Sequence, residues 1–387
     1  MNEWFNLLGP AQFISRIIDG FRDGLSYVLQ LPYNIHADLM DAITQALQYN
    51  ELVWEYIYSE PTLEPIDILY TYFNPGGRAV TEDARLRELY RQPEFKCKVL
   101  IPKAFPESSI PAWVGFMERF AHFTRNNINQ AERTEILLIV VSDRRPLVKQ
   151  SDPLLANKIV DDIVQKCDMV YFAHQLLAQQ QRSPEKIQLH AEIAATLALW
   201  DFRLCEKLCR IQLNQLLDFC NAQSYQESTV YRMLLNYAQE SGWQEITENS
   251  NEHDLWRAGI QHGFENQSEE HSAYLAIKGQ HKKLCKRVWT AQITVLFPII
   301  EKYRQHYVNQ YRNFLIEDRT AYNGQTYDCH IENLEIGQIW YQLYSHKKIP
   351  ERSRKHLTVL RNVRNEIAHG KVVLSEDVNN LLIPIPN

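Results

Sequence analysis

Two spacings of apolar residues alternate along the first part of the chain. Leu25-Ser-Tyr-Val-Leu-Gln-Leu31 reads as a short strand ending at Pro32. Leu39, Met40, Ile43 and Leu47 then recur at helical spacing and predict a helix from about His36 to Leu47. Ile66–Phe73 is rich in β-branched and aromatic residues and closes on Asn74-Pro-Gly-Gly77, so it predicts a second strand. Lys98–Ile101 is a third candidate, and Trp113–Phe123 is an amphipathic helix. Glu135-Ile-Leu-Leu-Ile-Val-Val141 is the most apolar run in the chain and suits a parallel strand covered on both faces. Ile159–Cys167 reads as a helix, or as a helix running into a strand. Strands separated by helices predict an α/β domain with a doubly wound, mostly parallel sheet over residues 1–180.

The pattern then becomes helical throughout. Ile187, Ile193, Leu197, Leu204, Leu208 and Ile211 keep helical spacing, and Tyr225–Gly242 is another helix. Residues 245–270 are polar and read as a loop with a short helix around Trp256. Together, residues 181–270 form an all-α region, a helical lid or winged-helix-like segment. From Ser272 to Ile316 runs one long or broken helix, with Pro298 as the expected place for a kink or break. A turn over Asp318–Cys329, with Asn323-Gly324 at its tip, precedes a helix over Asn333–Tyr344. Pro350 opens another helix that runs to about His369 and stops at Gly370. Residues 271–387 thus make a C-terminal helical bundle ending in a proline-broken tail.

Composition narrows the class. With 45% hydrophobic and 23% charged residues, the 387-residue chain is globular rather than disordered. A net charge of −6 excludes a protein that coats nucleic acid over its whole surface, so any such contact needs a local patch. No apolar run reaches the length of a membrane span, and Met1-Asn-Glu-Trp-Phe does not begin like a secretory leader. The cysteines (Cys97, Cys167, Cys205, Cys209, Cys220, Cys285 and Cys329) are odd in number and scattered, which suits free thiols in the cytoplasm. Cys205 and Cys209 share a helix, but no second ligand pair stands near them in sequence, so buried thiols are expected and neither a metal nor a cofactor.

An α/β domain of this kind would bind nucleotide after its first strand. There, Leu31-Pro-Tyr-Asn-Ile-His-Ala-Asp38 has no glycine or lysine to cradle phosphates, and it carries an acid. Leu137–Asp143 looks like a Walker B strand, hydrophobics running into an acid. With the first strand, the helix His190–Phe202, Asp254–Gly259 and Arg287-Val-Trp-Thr-Ala-Gln292, it resembles the layout of signal-transduction NTPases of the STAND type. The resemblance implies a degenerate domain that senses or docks without hydrolysing ATP.

The sharpest motif lies near the C-terminus, in Leu360-Arg-Asn-Val-Arg-Asn-Glu-Ile-Ala-His-Gly370. Arg364, Asn365 and His369 fit Arg-Asn-x-x-x-His on a helix, and the segment resembles the signature of the HEPN superfamily, helical bundles of bacterial defence and toxin systems. Asn365 and His369 share a helix face extended by Arg361, and Arg364 flanks it about 140° round. RNA cleavage without metal needs a base for the 2′-OH, an acid for the leaving oxygen and a cation for the phosphorane. Histidine and arginine supply these groups. Between His346 and Arg364 stand seven basic residues against Glu351 alone, with Arg352, Arg354, Lys355 and Arg361 as the expected RNA contacts. Tyr322, Tyr327, Trp340, Tyr341 and Tyr344 are candidates to stack bases or to fill the core. Glu335 can orient Arg364, His356 is expected at the surface, and Ser142–Arg145 is a weaker phosphate-loop candidate.

The resemblance implies a metal-independent endoribonuclease working as a homodimer or with a partner defence protein, two bundles each giving an Arg and a His. The alternative is a non-catalytic HEPN scaffold. In a branch of the superfamily whose toxin is neutralised by nucleotidyl transfer, a tyrosine follows the histidine by two positions; here that position is Lys371.

Overall fold

The computed structural model describes residues 7–60, 62–77, 79–221, 225–246, 250–322, 325–344, 346 and 349–383, with backbone alone at 34, 36, 37, 318–322 and 325–329. The Asn323-Gly324 tip, Lys347, Lys348 and the end of the tail lie outside these residues. In chain order the elements are α1 (Leu8–Arg22), β1 (Ser26–Leu31), α2 (His36–Tyr49), β2 (Trp54–Tyr58), α3 (Pro65–Phe73), α4 (Glu82–Leu89), β3 (Val99–Lys103), α5 (Ile110–Asn127), β4 (Glu135–Val141) and β5 (Leu155–Ile159). Then follow α6 (Lys166–Leu177), α7 (Pro184–Ala198), α8 (Phe202–Arg210), α9 (Leu213–Asp218), α10 (Thr229–Glu240), α11 (Glu252–Arg257), β6 (Gln261–Phe264) and β7 (Gln267–Glu270). The remainder is α12 (Ser272–Ile277), α13 (His281–Gln310), β8 (Asp318–Tyr322), β9 (Gln325–Cys329), α14 (Ile336–Tyr344), α15 (Glu351–Ala368) and α16 (Ser375–Leu381).

The chain divides into two compact units: Met1–Asp168 with Ile246–Glu270, and Met169–Glu245 with His271–Asn387. The first holds a five-stranded sheet in the order β2-β3-β4-β1-β5, with all its pairings parallel. β1 runs beside β4 in register from Tyr27↔Leu137 to Leu31↔Val141, and both strands are buried almost throughout. Val28, Ile136, Leu138 and Val140 pack with Trp113, Phe116 and Phe120 of α5 and with Ile66 and Leu69 of α3. Leu29, Leu31, Leu137 and Ile139 alternate with them and are also buried, while α1 and α2 pack with the same strands. The expected parallel α/β sheet is therefore present.

Three local expectations are corrected. Residues 66–73 are helical, not extended: Pro65 sits at the first helical position, Asp67 lies in the first turn, and Ile66 and Leu69 share the buried face. The second strand is Trp54–Tyr58 instead. Leu155–Ile159 is the edge strand beside β1, and the helix begins only at Lys166. The polar stretch around Trp256 also carries the hairpin β6–β7. It docks behind β5, where the buried His262 meets the Val160 carbonyl at 3.1 Å and the Gly263 N–H donates to Asp161 Oδ1 at 2.5 Å. A Cβ at Gly263 would stand 2.9 Å from that carboxylate oxygen, so the approach needs glycine.

The second unit centres on α7, buried from Leu189 to Ala198, which packs along α13. Asp201 caps α8 and accepts from Tyr237 Oη at 2.5 Å, with His271 Nε2 at 3.1 Å from the same carboxylate. The expected break at Pro298 does not occur. Pro298 and Thr294 are both exposed, so the carbonyl freed by the missing N–H faces water. The break falls at Gly279, where φ is +63° between α12 and α13. The turn expected over Asp318–Cys329 is flanked by the paired strands β8 and β9.

Glu135, at the start of β4, is 7% exposed, and burial pushes its carboxyl up to about 8 from its ordinary 4.5. The folded state therefore holds a proton that the unfolded chain releases, and stability falls as pH rises between these values. Glu135→Gln should remove this slope. In thermal melts the variant should exceed the wild type by several degrees near pH ~8.5, with the gap closing toward pH ~5.

Candidate nucleic-acid interface

α15 carries the motif and is fixed by its own buried face, Ser353, His356, Leu357, Leu360, Val363 and Ile367. Its end is sharp. Gly370 has φ +75°, its N–H donates to the Ile367 carbonyl at 3.0 Å, and the Lys371 N–H reaches back to the Glu366 carbonyl at 3.0 Å. This paired closure stops the helix and leaves His369 as its last half-helical residue. The imidazole is exposed and has no hydrogen-bond partner among the described residues.

Two side chains of α13 pin the segments on either side of His369. The Trp289 indole N–H donates to the Ile367 carbonyl at 2.8 Å. The fully buried Gln292 donates to the Val373 carbonyl at 2.6 Å and accepts the Val373 N–H at 2.8 Å. Both lie in the stretch Arg287–Gln292, which the sequence singled out for a different reason. The signal available was a Trp and a Gln on the buried side of an amphipathic helix, residue types that need partners when buried.

Arg364 turns toward α14, pairing with Glu335 Oε2 at 3.0 Å and reaching Asn365 Oδ1 at 3.4 Å. The two side chains of the ion pair are 37% and 68% exposed, so water screens it and an incoming phosphate can compete. Arg361 lies over the Trp340 ring, 3.7 Å from its centroid, and the indole N–H donates to Thr358 Oγ1 at 2.9 Å. At about 100° per residue, Arg354, Arg361 and Asn365 form one stripe with His369 beside it. Lys355 lies on the far side of His369 and is 77% exposed, paired with Glu351 at 2.7 Å. Arg352 is not brought to this stripe; it sits about half a turn from Arg361 around the helix axis.

Tyr341 and Tyr344 are exposed on α14, next to the half-buried Trp340. Tyr322 and Tyr327 lie on the hairpin, where only backbone is described. His356 is buried, not at the surface: Nδ1 meets Tyr307 Oη at 3.1 Å, Nε2 meets the Leu381 carbonyl at 3.1 Å, and burial lowers its pKa. It lies on the α15 face that packs in the bundle, a placement the basic residues around it concealed.

At the nucleotide position of the first unit, a cavity of about 470 Å³ is lined by Tyr33, Asp41, Lys103, Val141 and Arg257, and beside it the loop after β4 is tied to β1. Chain connections leave β1 and β4 in opposite directions, which makes their carboxyl ends the switch point where α/β sheets bind ligands. There the fully buried Gln30 donates to Ser142 Oγ (2.9 Å) and to the carbonyls of Asp143 (3.0 Å) and Arg145 (2.8 Å). Its Oε1 accepts from the Leu147 N–H (3.0 Å) and Asn157 Nδ2 (2.7 Å). Asp143 is engaged by Arg145 Nε at 2.7 Å, which holds its carboxyl below the usual range. Arg144 pairs with Asp161 and, at 3.1 Å, with Glu252. Both arginines of Ser142–Arg145 thus have acidic partners, with Arg145 itself 73% exposed.

Cys205 and Cys209 are buried on α8. One group of three His, Cys or acidic side chains among the described residues has donor atoms within 4.8 Å of one another: Cys220, His281 and Cys285. No helix among the described residues is long and apolar enough to cross a membrane. Comparison of the chain with protein-family models and with curated proteins finds no match.

Gln292→Ala would strand the Val373 N–H and C=O in the core, at about 1–3 kcal/mol for each unsatisfied group. Chemical denaturation should show a loss of roughly 2–4 kcal/mol, whereas substitution of the exposed Thr290 should change little.

Proposed function

We propose that the chain is a HEPN-type endoribonuclease of a bacterial defence or toxin system. Its C-terminal bundle, following an all-α region, would act as a dimer, and the degenerate NTPase-like sheet domain would sense or dock rather than hydrolyse ATP. The observation that carries the reading is the motif's setting: His369 projects into solvent from the sharp end of α15, and Arg364 and Asn365 stand half-buried within the preceding turns. Exposed Tyr341 and Tyr344 and the Arg361–Trp340 stack offer flat faces for bases beside a cationic stripe. The turn after β1, which lacks both glycine and lysine, supports the absence of ATP turnover.

The chemistry is transesterification. A 2′-oxygen attacks the adjacent phosphorus while a histidine takes its proton, and the 5′-oxygen leaves with a proton from a second acid. Arg364 would offset the charge on the phosphorane, exchanging Glu335 for phosphate oxygens. Asn365 would hold the arginine or contact the phosphate. One bundle contributes one His369, so base and acid together call for two bundles face to face.

His369→Ala and Arg364→Ala should each lower RNA cleavage by about 10²–10⁴-fold while leaving thermal melts unchanged, since neither side chain is in the core. Asn365→Ala should be milder. Wild-type products should end in 2′,3′-cyclic phosphate without added magnesium. Wild-type rates from His369→Ala, or magnesium-dependent products with 5′-phosphate ends, would refute the reading. An intact, dimeric protein that cuts no RNA would favour the scaffold alternative.

Light scattering at micromolar concentration should give a dimer, and specific activity should rise with concentration through the dissociation range. Full activity from a monomer would remove the paired-histidine mechanism.

A further inference from the structure

Cys220 follows α9 in the second unit, and His281 and Cys285 stand one turn apart on the first turns of α13. The i, i+4 spacing puts the latter two on one helix face. All three are half-buried, with one donor atom from each within 4.8 Å of the others. A tetrahedral zinc ion with bonds of about 2.0 Å to nitrogen and about 2.3 Å to sulfur holds its donors roughly 3.6–3.8 Å apart. Cys285 Sγ lies 3.8 Å from His281 Nδ1 and 3.2 Å from Nε2. His281 Nε2 is also 3.5 Å from the Phe219 carbonyl, and the ring stacks on Tyr225 with centroids 4.0 Å apart. A ring donating its Nε2 proton to that carbonyl offers Nδ1 to a metal, the outer-shell arrangement usual for ligating histidines. Two thiols and an imidazole select zinc over magnesium or calcium, which prefer oxygen.

The three side chains also have space beside them. Cys220 and Cys285 line a cavity of about 610 Å³, together with Asn221, Lys286 and Glu366. That leaves room for a fourth ligand, water or a carboxylate, and three protein donors with one open position is a recurrent zinc arrangement.

We propose that Cys220, His281 and Cys285 form a zinc site that fastens the segment after α9 to the start of α13. The ion is a clamp within the helical unit and takes no part in RNA chemistry. The only signal in the sequence is His281-x-x-x-Cys285; Cys220 lies far from it along the chain and is brought in by the fold.

The test is the metal content of the full-length chain, purified in reducing buffer, incubated with zinc and desalted. The wild type should retain about one zinc per chain and melt at a higher temperature than after metal stripping. Cys220→Ser, His281→Ala and Cys285→Ser should each lose most of the metal. Cys97→Ser, an exposed thiol in the other unit, should keep it. Cys285→His preserves a donor and should retain zinc. Cobalt added to the stripped wild type should give a thiolate-to-cobalt charge-transfer band that weakens in Cys220→Ser. The wild-type measurement stands even where a variant fails to fold. A wild type that retains no zinc overturns the proposal, as does metal that persists in all three variants or a Cys220–Cys285 disulfide in the reduced preparation. No RNA enters the assay, so its outcome is separate from that of the cleavage experiments.

Discussion

The geometry at the end of α15 depends on hydrogen bonds donated and accepted by α13. Trp289 takes the Ile367 carbonyl and Gln292 takes both backbone groups of Val373, so the residues before and after His369 are tied to the longest helix of the unit. Buried polar groups are costly unless paired, so these bonds specify one arrangement rather than merely adding stability. Between the pins, the Gly370 closure ends the helix and lets the histidine project. An arginine and a histidine five residues apart would be unremarkable on a continuing helix. Here the backbone is held on both sides of the histidine while its ring stays exposed.

Much of this was legible in the sequence where one physical signal dominated. Glu135–Val141 is apolar enough to be a central strand whatever surrounds it, and Pro350 and Gly370 bracket α15 by backbone chemistry alone. The errors came where two signals competed. In residues 66–73 the β-branched and aromatic content suggested a strand, but Pro65, Asp67 and the Ile66–Leu69 spacing selected a helix. At Pro298 the local rule predicted a break, but an exposed carbonyl can bond to water, so the helix continued. His356 stands among basic residues and looked solvated, yet its azimuth on α15 sends it into the bundle. The polar pins Trp289 and Gln292 were beyond local pattern because their partners lie some 80 residues away.

In the first unit, one buried side chain organises the loop beside the carboxyl end of the sheet. A glycine-free turn after β1 offers no backbone cradle, and a single amide side chain, Gln30, gathers the loop after β4 around itself. Asp143, which the sequence marked as a Walker-type acid, is neutralised two residues away by Arg145. Asp143 and Ser142 here serve to fix the loop.

The sheet unit is not a continuous stretch of chain. Its hairpin β6–β7 is supplied only after α6 to α10 have been made, and His262 and Gly263 then complete bonds to Val160 and Asp161. During synthesis the strands β1–β5 leave the ribosome long before their last partner does, so the Val160 carbonyl waits for His262, and Asp161 has Arg144 but not the Gly263 N–H, until the hairpin arrives. A fragment cut after the last sheet strand would lack these partners permanently. The two units therefore mature as interleaved pieces of one polypeptide, and a gene split between them would have to leave Ile246–Glu270 with the wrong half.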